Sequence, residues 1–180
     1  MNDTRNAIVE AAKWGVANHA HFTYSEAGNR MDFLKHPRFT LPVTTDCSGA
    51  VTMWFWLAGA NDPNKLGFDG EGFTGTLLSA EEHIAQWIKN AKGVQVDELI
   101  PADLVVYGPG TGEHVALIVE VHGPDILTIS MGQNGDPSYV WVNEPKTVPS
   151  RGYGFDGRQP QTFLRCHTDT NGPVHLPPAK

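Results

Sequence analysis

Residues 44–56 read TTDCSGAVTMWFW, and the run from Cys47 to Ala58 is apolar on nearly every side. A helix that is apolar all round has no face to offer water, so the pattern predicts a buried helix beginning near Cys47. Thr45 or Asp46 is placed to cap it. The first turn of a helix carries backbone N–H groups with no helical partner, and Cys47 falls among them. Such groups favour the thiolate, the reactive form of cysteine, and can later hold an oxyanion. Gly49 leaves room for a substrate near the backbone. Two readings of Cys47 stand side by side: a small buried filler, since free cysteine is among the most buried residue types, or a nucleophile.

Working outward, the first half of the chain reads as helical. In TRNAIVEAAKWGVANHA (4–20), Ile8, Ala11, Ala12, Gly15 and Val16 recur at helical spacing, with Asp3 or Thr4 available as a cap. Residues 22–45 carry Gly, Pro and Asn and read as an irregular approach. After the loop NDPNKLGFDGEGFTGT (61–76), SAEEHIAQWIKN (79–90) predicts a third helix, opened by a capping box of Ser79 and Glu82. The second half reads as strands: DLVVYG (103–108), HVALIVEV (114–121), DILTISM (125–131), YVWV (139–142) and TFLRC (162–166) are β-rich and separated by Gly/Pro turns. Helices followed by a run of strands imply an α+β domain with a mainly antiparallel sheet. One domain over residues 1–168 is expected, followed by a polar, Pro-rich tail or linker at 169–180.

Composition narrows the function classes. The net charge is −7, with Lys and Arg scattered rather than striped, which makes nucleic acid a poor partner. The longest nearly apolar run, VTMWFWLAGA, has ten residues, too short to span a bilayer. MNDTRNAIVE lacks the apolar core of a signal peptide, so synthesis in a host cytoplasm without a secretion signal is expected. The two cysteines, Cys47 and Cys166, form no CxxC motif and no disulfide framework, so a cysteine zinc site is not expected.

A cysteine nucleophile needs a base. Of the eight histidines, His114 is distinctive because it opens a strand. Alternation puts Val115, Leu117, Val119 and Val121 on one face and His114, Ala116, Ile118 and Glu120 on the other. A base in turn needs an orienting partner. If the hairpin around Gly123-Pro124 sets His122 opposite Asp125, then His114 lies opposite Gln133, whose amide can hold an imidazole. A bulge would bring in Asn134 instead. Asp136 is a further candidate from the same loop.

These elements, in this order, resemble the NlpC family of papain-fold cysteine peptidases that cut bacterial cell walls. The aromatic segment HFTYSEAGNR (21–30) precedes the nucleophile, TTDCSG heads the buried helix, and PADLVVYG and EHVALIVE follow as strands. Ala102 and Ala116 stand where the family usually has Gly. GFDGEGFTGTLL and the closing TFLR are similar to peptidase domains of endolysins from phages of actinobacteria. The resemblance implies Cys47 as nucleophile, His114 as base, Tyr24 beside the nucleophile at the oxyanion or substrate, and Asp46 and Ser48 as peptide-binding residues. The family's third polar residue, often a histidine, falls here on Met131, which leaves Gln133 to substitute.

Other motifs fail on inspection. His19 and His21 form an HxH pair, but no HExxH is present. Counting from Asp62, Leu66 and Phe68 occupy ligand positions of an EF-hand loop. GPGTG joins two strands and opens no helix, and no G-x-S-x-G of an α/β-hydrolase occurs. Trp54, Phe55 and Trp56 read as core.

The expected activity is thus hydrolysis of a peptide bond in the stem or cross-bridge of peptidoglycan through a Cys–His acyl-enzyme, with no cofactor or metal. Two alternatives stay open: an N-acetylmuramoyl-alanine amidase using the same dyad, and a non-catalytic wall-binding or phage structural module. Because bacterial walls are anionic and the chain is acidic, a separate wall-targeting domain is an expected companion. The expected place of action is the cell wall.

Overall fold

The computed structural model describes residues 3–36, 38–86, 98–123, 125–132, 135–142 and 160–168. Helix α1 (Asp3–Ala17) buries Ile8, Ala11, Ala12 and Gly15 of the expected stripe and also Val9, while Val16 is only half-buried. Helix α2 (Cys47–Leu57) is buried almost throughout, with Trp54 and Phe55 wholly inaccessible. The two helices approach closely at Gly15, where a Cβ would come within 3.1 Å of Trp54 Nε1. The irregular approach contains two short strands, β1 (Phe22–Tyr24) and β2 (Val43–Thr45), which pair in parallel. That pairing carries Tyr24 alongside Thr45, at the head of α2.

The third helix is corrected. Helix α3 spans Thr74–Ala80, and Ser79 lies in its last turn, its hydroxyl bonded back to the carbonyls of Gly75 and Thr76. Glu81 leaves the helix in extended geometry, and β3 (Glu82–Gln86) pairs antiparallel with β8 (Pro160–Arg165). The ladder with β8 overrides a helical propensity worth only tenths of a kcal/mol per residue. Residues 87–90 of the expected helix, like the tail at 169–180, lie outside the described residues.

Strands β4 (Leu104–Tyr107), β5 (His114–His122), β6 (Asp125–Met131) and β7 (Pro137–Trp141) complete a sheet in the order β3-β8-β4-β5-β6-β7. Every pairing among the described residues of this sheet is antiparallel. Val115, Leu117 and Val119 join α1 and α2 in one apolar cluster, while Ala116 and Ile118 join Val105, Tyr107 and Phe163 in another. A bulge between Ile118 and Glu120 ends this alternation, so Val121 packs with the second cluster and not with Val119.

One buried carboxylate ties the layers together. Asp103, fully buried, accepts from Arg5 Nη1 of α1 at 3.0 Å and from Arg165 of β8 at 3.1 Å (Nε) and 2.8 Å (Nη2). Arg5 also donates to the carbonyls of Pro101 and Cys166. A buried ion pair stripped of one partner strands the other in low dielectric, at a cost of about 3–5 kcal/mol. Beside it, Ala102 adopts φ +70°, a left-handed conformation that favours glycine.

Candidate active site

Cys47 is the first residue of α2. Asp46 is the N-cap: its Oδ1 accepts from the Gly49 N–H at 2.6 Å and the Ser48 hydroxyl at 2.9 Å, and its Oδ2 lies 3.4 Å from Arg30 Nε. Asp46 and Ser48 are both buried and both engaged in holding the helix start. Gly49 has a steric reason to be glycine, because a Cβ there would lie 2.2 Å from Thr45 Oγ1.

Both cysteines are free thiols. The sequence leads to an expectation of a thiol made acidic by the helix start. The structure reverses it: burial, and then the Asp46 carboxylate, push the Cys47 thiol up to about 11. The N–H groups of Val115 and Ser48 and the side chain of Thr74 act on the sulfur in the opposite sense and do not prevail. Desolvating an anion outweighs a few donors, and a carboxylate on the adjacent residue adds to that cost. At pH 7 a free thiol of this kind is ionised to the order of 1 part in 10⁴. A thiol of this kind reacts as a nucleophile only where a nearby group takes its proton.

His114 is the imidazole of the adjoining strand. It opens β5, is only 2% exposed, and its ring is tilted against Tyr107 with centroids 5.8 Å apart. The N–H of the next residue along, Val115, is among the groups that lower the Cys47 thiol pKa. Tyr24 completes the group. A Cβ at Gly132 would lie 3.3 Å from His114 Cε1 and 3.6 Å from Tyr24 Cε2, so both rings flank one point. The Tyr24 hydroxyl donates to Glu26 Oε1 at 3.0 Å, and burial, together with the nearby Cys47 and Glu26, raises its pKa.

The expected orienting residue fares differently. His122 does pair with Asp125, and the predicted register runs as far as Glu120 opposite Leu127. The bulge then shifts it by one, with Ile118 opposite Thr128 and Leu117 opposite Ile129. Continued along the strand, this register brings Gly132, and not Gln133, opposite His114. The bulge lies on β5, and so moves the pairing away from Asn134. Gln133 and Asn134 themselves lie outside the described residues. Asp136 is bonded to His19 Nδ1 at 2.8 Å, which accounts for one member of the HxH pair. Met131 is fully buried opposite Pro137.

Two features were not legible beforehand. Thr74 reads as part of a glycine-rich loop, and its buried place at the start of α3, with a bearing on the Cys47 thiol, comes from the fold. Gly132 gains its meaning from the bulge. The EF-hand-like loop has a purely local explanation: Asp62 accepts from the backbone N–H groups of Asn64, Leu66 and Phe68 and so organises its own turn.

No family model matches the chain, and no curated protein matches it. Among solved structures it is similar to the peptidoglycan hydrolase RipB from Mycobacterium tuberculosis, with a TM-score of 0.45 and 21% identity over 92% of this chain and 67% of that one. At that level the likeness concerns the course of the chain, and no residue's role follows from it.

Chemically, the site offers a buried thiol with donors around it, an imidazole at the mouth of the adjoining strand, and a tyrosine on the far side of a glycine. Among the described residues no cluster of His, Cys, Asp or Glu has the make-up of a metal site.

Proposed function

We propose that this chain is a peptidoglycan hydrolase, an NlpC-type cysteine peptidase with a papain-like arrangement of nucleophile helix and base strand. The observation that carries the reading is the placing of Cys47 at the head of α2, where the Val115 N–H of β5 lowers its thiol pKa, with His114 the residue before Val115 and its ring sharing the Gly132 position with Tyr24. The order of the sequence motifs, tyrosine then cysteine then histidine, supports the same reading.

In this mechanism the Cys47 sulfur attacks the carbonyl carbon of a wall peptide. Its proton passes to His114, which returns a proton to the leaving amine as the C–N bond breaks. Water then hydrolyses the thioester, giving the acid and restoring the thiol. Tyr24 lies where it can border the developing oxyanion or the substrate. The chain as the peptidase part of a phage-type lysin, acting at the wall beside a separate targeting domain, is the fuller form of the proposal. The net charge of −7 supports it, since an anionic wall would repel this domain.

The test is dye release from labelled actinobacterial walls. Wild type should release dye, and Cys47→Ala and His114→Ala should each lower the rate at least about a hundredfold. Full activity in Cys47→Ala would overturn the mechanism, and wall binding without release by wild type would favour a binding module.

A further inference from the structure

We propose that Arg30 is a positioning residue for the nucleophile: its guanidinium joins the Asp46 cap of α2 to the loop carbonyl of Gly72, and its charge offsets the carboxylate that stands next to the thiol. This rests on the reading of Cys47 as the nucleophile.

Arg30 lies in the turn after β1, its N–H bonded to the Ala27 carbonyl at 3.1 Å. The backbone of this turn rests on the first turn of α2: a Cβ at Gly49 would lie 3.1 Å from the Arg30 carbonyl oxygen. From there the side chain reaches two ways. Nε lies 3.4 Å from Asp46 Oδ2, and Nη2 donates to the Gly72 carbonyl at 2.7 Å. The other Asp46 oxygen, Oδ1, accepts from the Gly49 N–H and the Ser48 hydroxyl. One oxygen therefore caps the helix while the other faces the cation. A planar guanidinium presents several nitrogens in fixed directions and serves both partners, which a lysine with its single nitrogen does not.

The Gly72 end is fixed as well. A Cβ at Gly72 would lie 2.4 Å from the side-chain amide of Asn64, which is buried. Asn64 Nδ2 donates to Thr52 Oγ1 at 2.9 Å, and Thr52 donates to the Ser48 carbonyl at 2.9 Å. Arg30 thus closes a ring of contacts that begins and ends on the first turn of α2.

The side chains of Arg30 and Asp46 are only 17% and 11% exposed, and Nη1 of the guanidinium is buried. Charges so placed are screened by salt much less than surface pairs. Asp46 is joined to Cys47 through one peptide bond, so a cation on its carboxylate reduces the repulsion that a thiolate meets there. The other titratable groups at the site are Tyr24 from β1, with Glu26 on its hydroxyl, and His114 from β5. Substitution of Arg30 changes none of them.

The experiment is the pH dependence of Cys47 alkylation by iodoacetamide, without substrate, with the modified residue assigned by peptide mass spectrometry and the fold checked by thermal melt. It compares wild type with two neutral variants, Arg30→Gln and Arg30→Met, with Arg30→Lys, and with Arg30→Gln placed on an Asp46→Asn background. Loss of the cation should move the alkylation midpoint upward and slow reaction at pH 8 about three- to tenfold. Arg30→Lys, which keeps the charge and loses the fork, should restore most of the rate. On the Asp46→Asn background Arg30→Gln should change the rate less than about twofold, because the charge it offsets is gone. A wild-type midpoint in a folded neutral variant would overturn the proposal, as would a slowing that is undiminished without the Asp46 charge. Because no wall is present, a wild type that fails to cleave peptidoglycan would sink the proposed function while leaving this result readable by itself.

Discussion

Gly132 lies against His114: a Cβ at residue 132 would stand 3.3 Å from the imidazole Cε1. The β5 bulge shifts the β5–β6 register by one between Glu120 and Ile118, and Gly132, which follows β6, meets the ring without a side chain. Tyr24 closes on the same point from the other side. Gly132→Ala should therefore push one ring or the other by a few tenths of an ångström. Displacements of this order in a nucleophile–base pair cost rate out of proportion to their size, so turnover should fall about tenfold while the fold persists. Steady-state kinetics on solubilised wall fragments, with a thermal melt as control, checks this. Unchanged turnover in a folded variant would separate Gly132 from the chemistry.

Ala102 gives a prediction about stability alone. At φ +70° an L-residue carries strain of about 1–2 kcal/mol. Ala102→Gly removes that strain, but loses a buried methyl worth about 0.8 kcal/mol and gains unfolded-state entropy worth about 0.5–1 kcal/mol. The substitution should be close to neutral in urea denaturation. Ala12→Gly, at an ordinary helical position of α1 and equally buried, should cost about 2 kcal/mol, helix propensity and the lost methyl together. A large loss at residue 102 would contradict the backbone conformation.

The buried carboxyl of Glu81 ties stability to pH. Burial pushes it from its ordinary 4.5 up to about 7, against the opposing effects of Lys65 and the His167 N–H. The folded chain therefore keeps a proton that the unfolded chain loses between about 4.5 and 7. The stability owed to neutral Glu81 is complete below this window and is lost as pH rises through the folded value. Glu81→Gln should match wild type near pH 4 and exceed it at pH 8 by about 1–2 kcal/mol, water near the carboxyl reducing the full linkage. Melting temperatures across pH check this, and equal stability at both ends would contradict it.

Asp46 stabilises its helix and burdens its neighbour. Its carboxylate caps α2 and, after burial, is the main cause of the high thiol pKa of Cys47. Asparagine caps a helix about as well and carries no charge. Asp46→Asn should lower the alkylation midpoint of Cys47 and speed its reaction at pH 8 about three- to tenfold. Slower alkylation would show that the cap, and not the charge, governs the thiol.

Much of this arrangement is legible in the residues themselves. The all-round apolar character of 47–58 gives the buried helix, Asp46 its cap, and the β-rich runs after residue 100 the five strands from β4 to β8. What escapes has physical causes. Ser79 and Glu82 match a helix start, yet β8 offers residues 82–86 a ladder that no local pattern reveals. The bulge near Val119 leaves no mark in an unbroken apolar run, so the register beyond it departs by one from the expected one. The helix start at Cys47 is correctly located, but its electrostatic effect is not, because the largest influence on the thiol is burial, which depends on tertiary packing.

The most direct measurement is mass spectrometry of fragments released from purified actinobacterial peptidoglycan by wild type and by Cys47→Ala. The account predicts new peptide termini within the stem or cross-bridge with wild type and none with the variant. Whole stems freed from muramic acid would make the enzyme an amidase with the same dyad, and identical fragments from both proteins would contradict a role for Cys47 as the nucleophile.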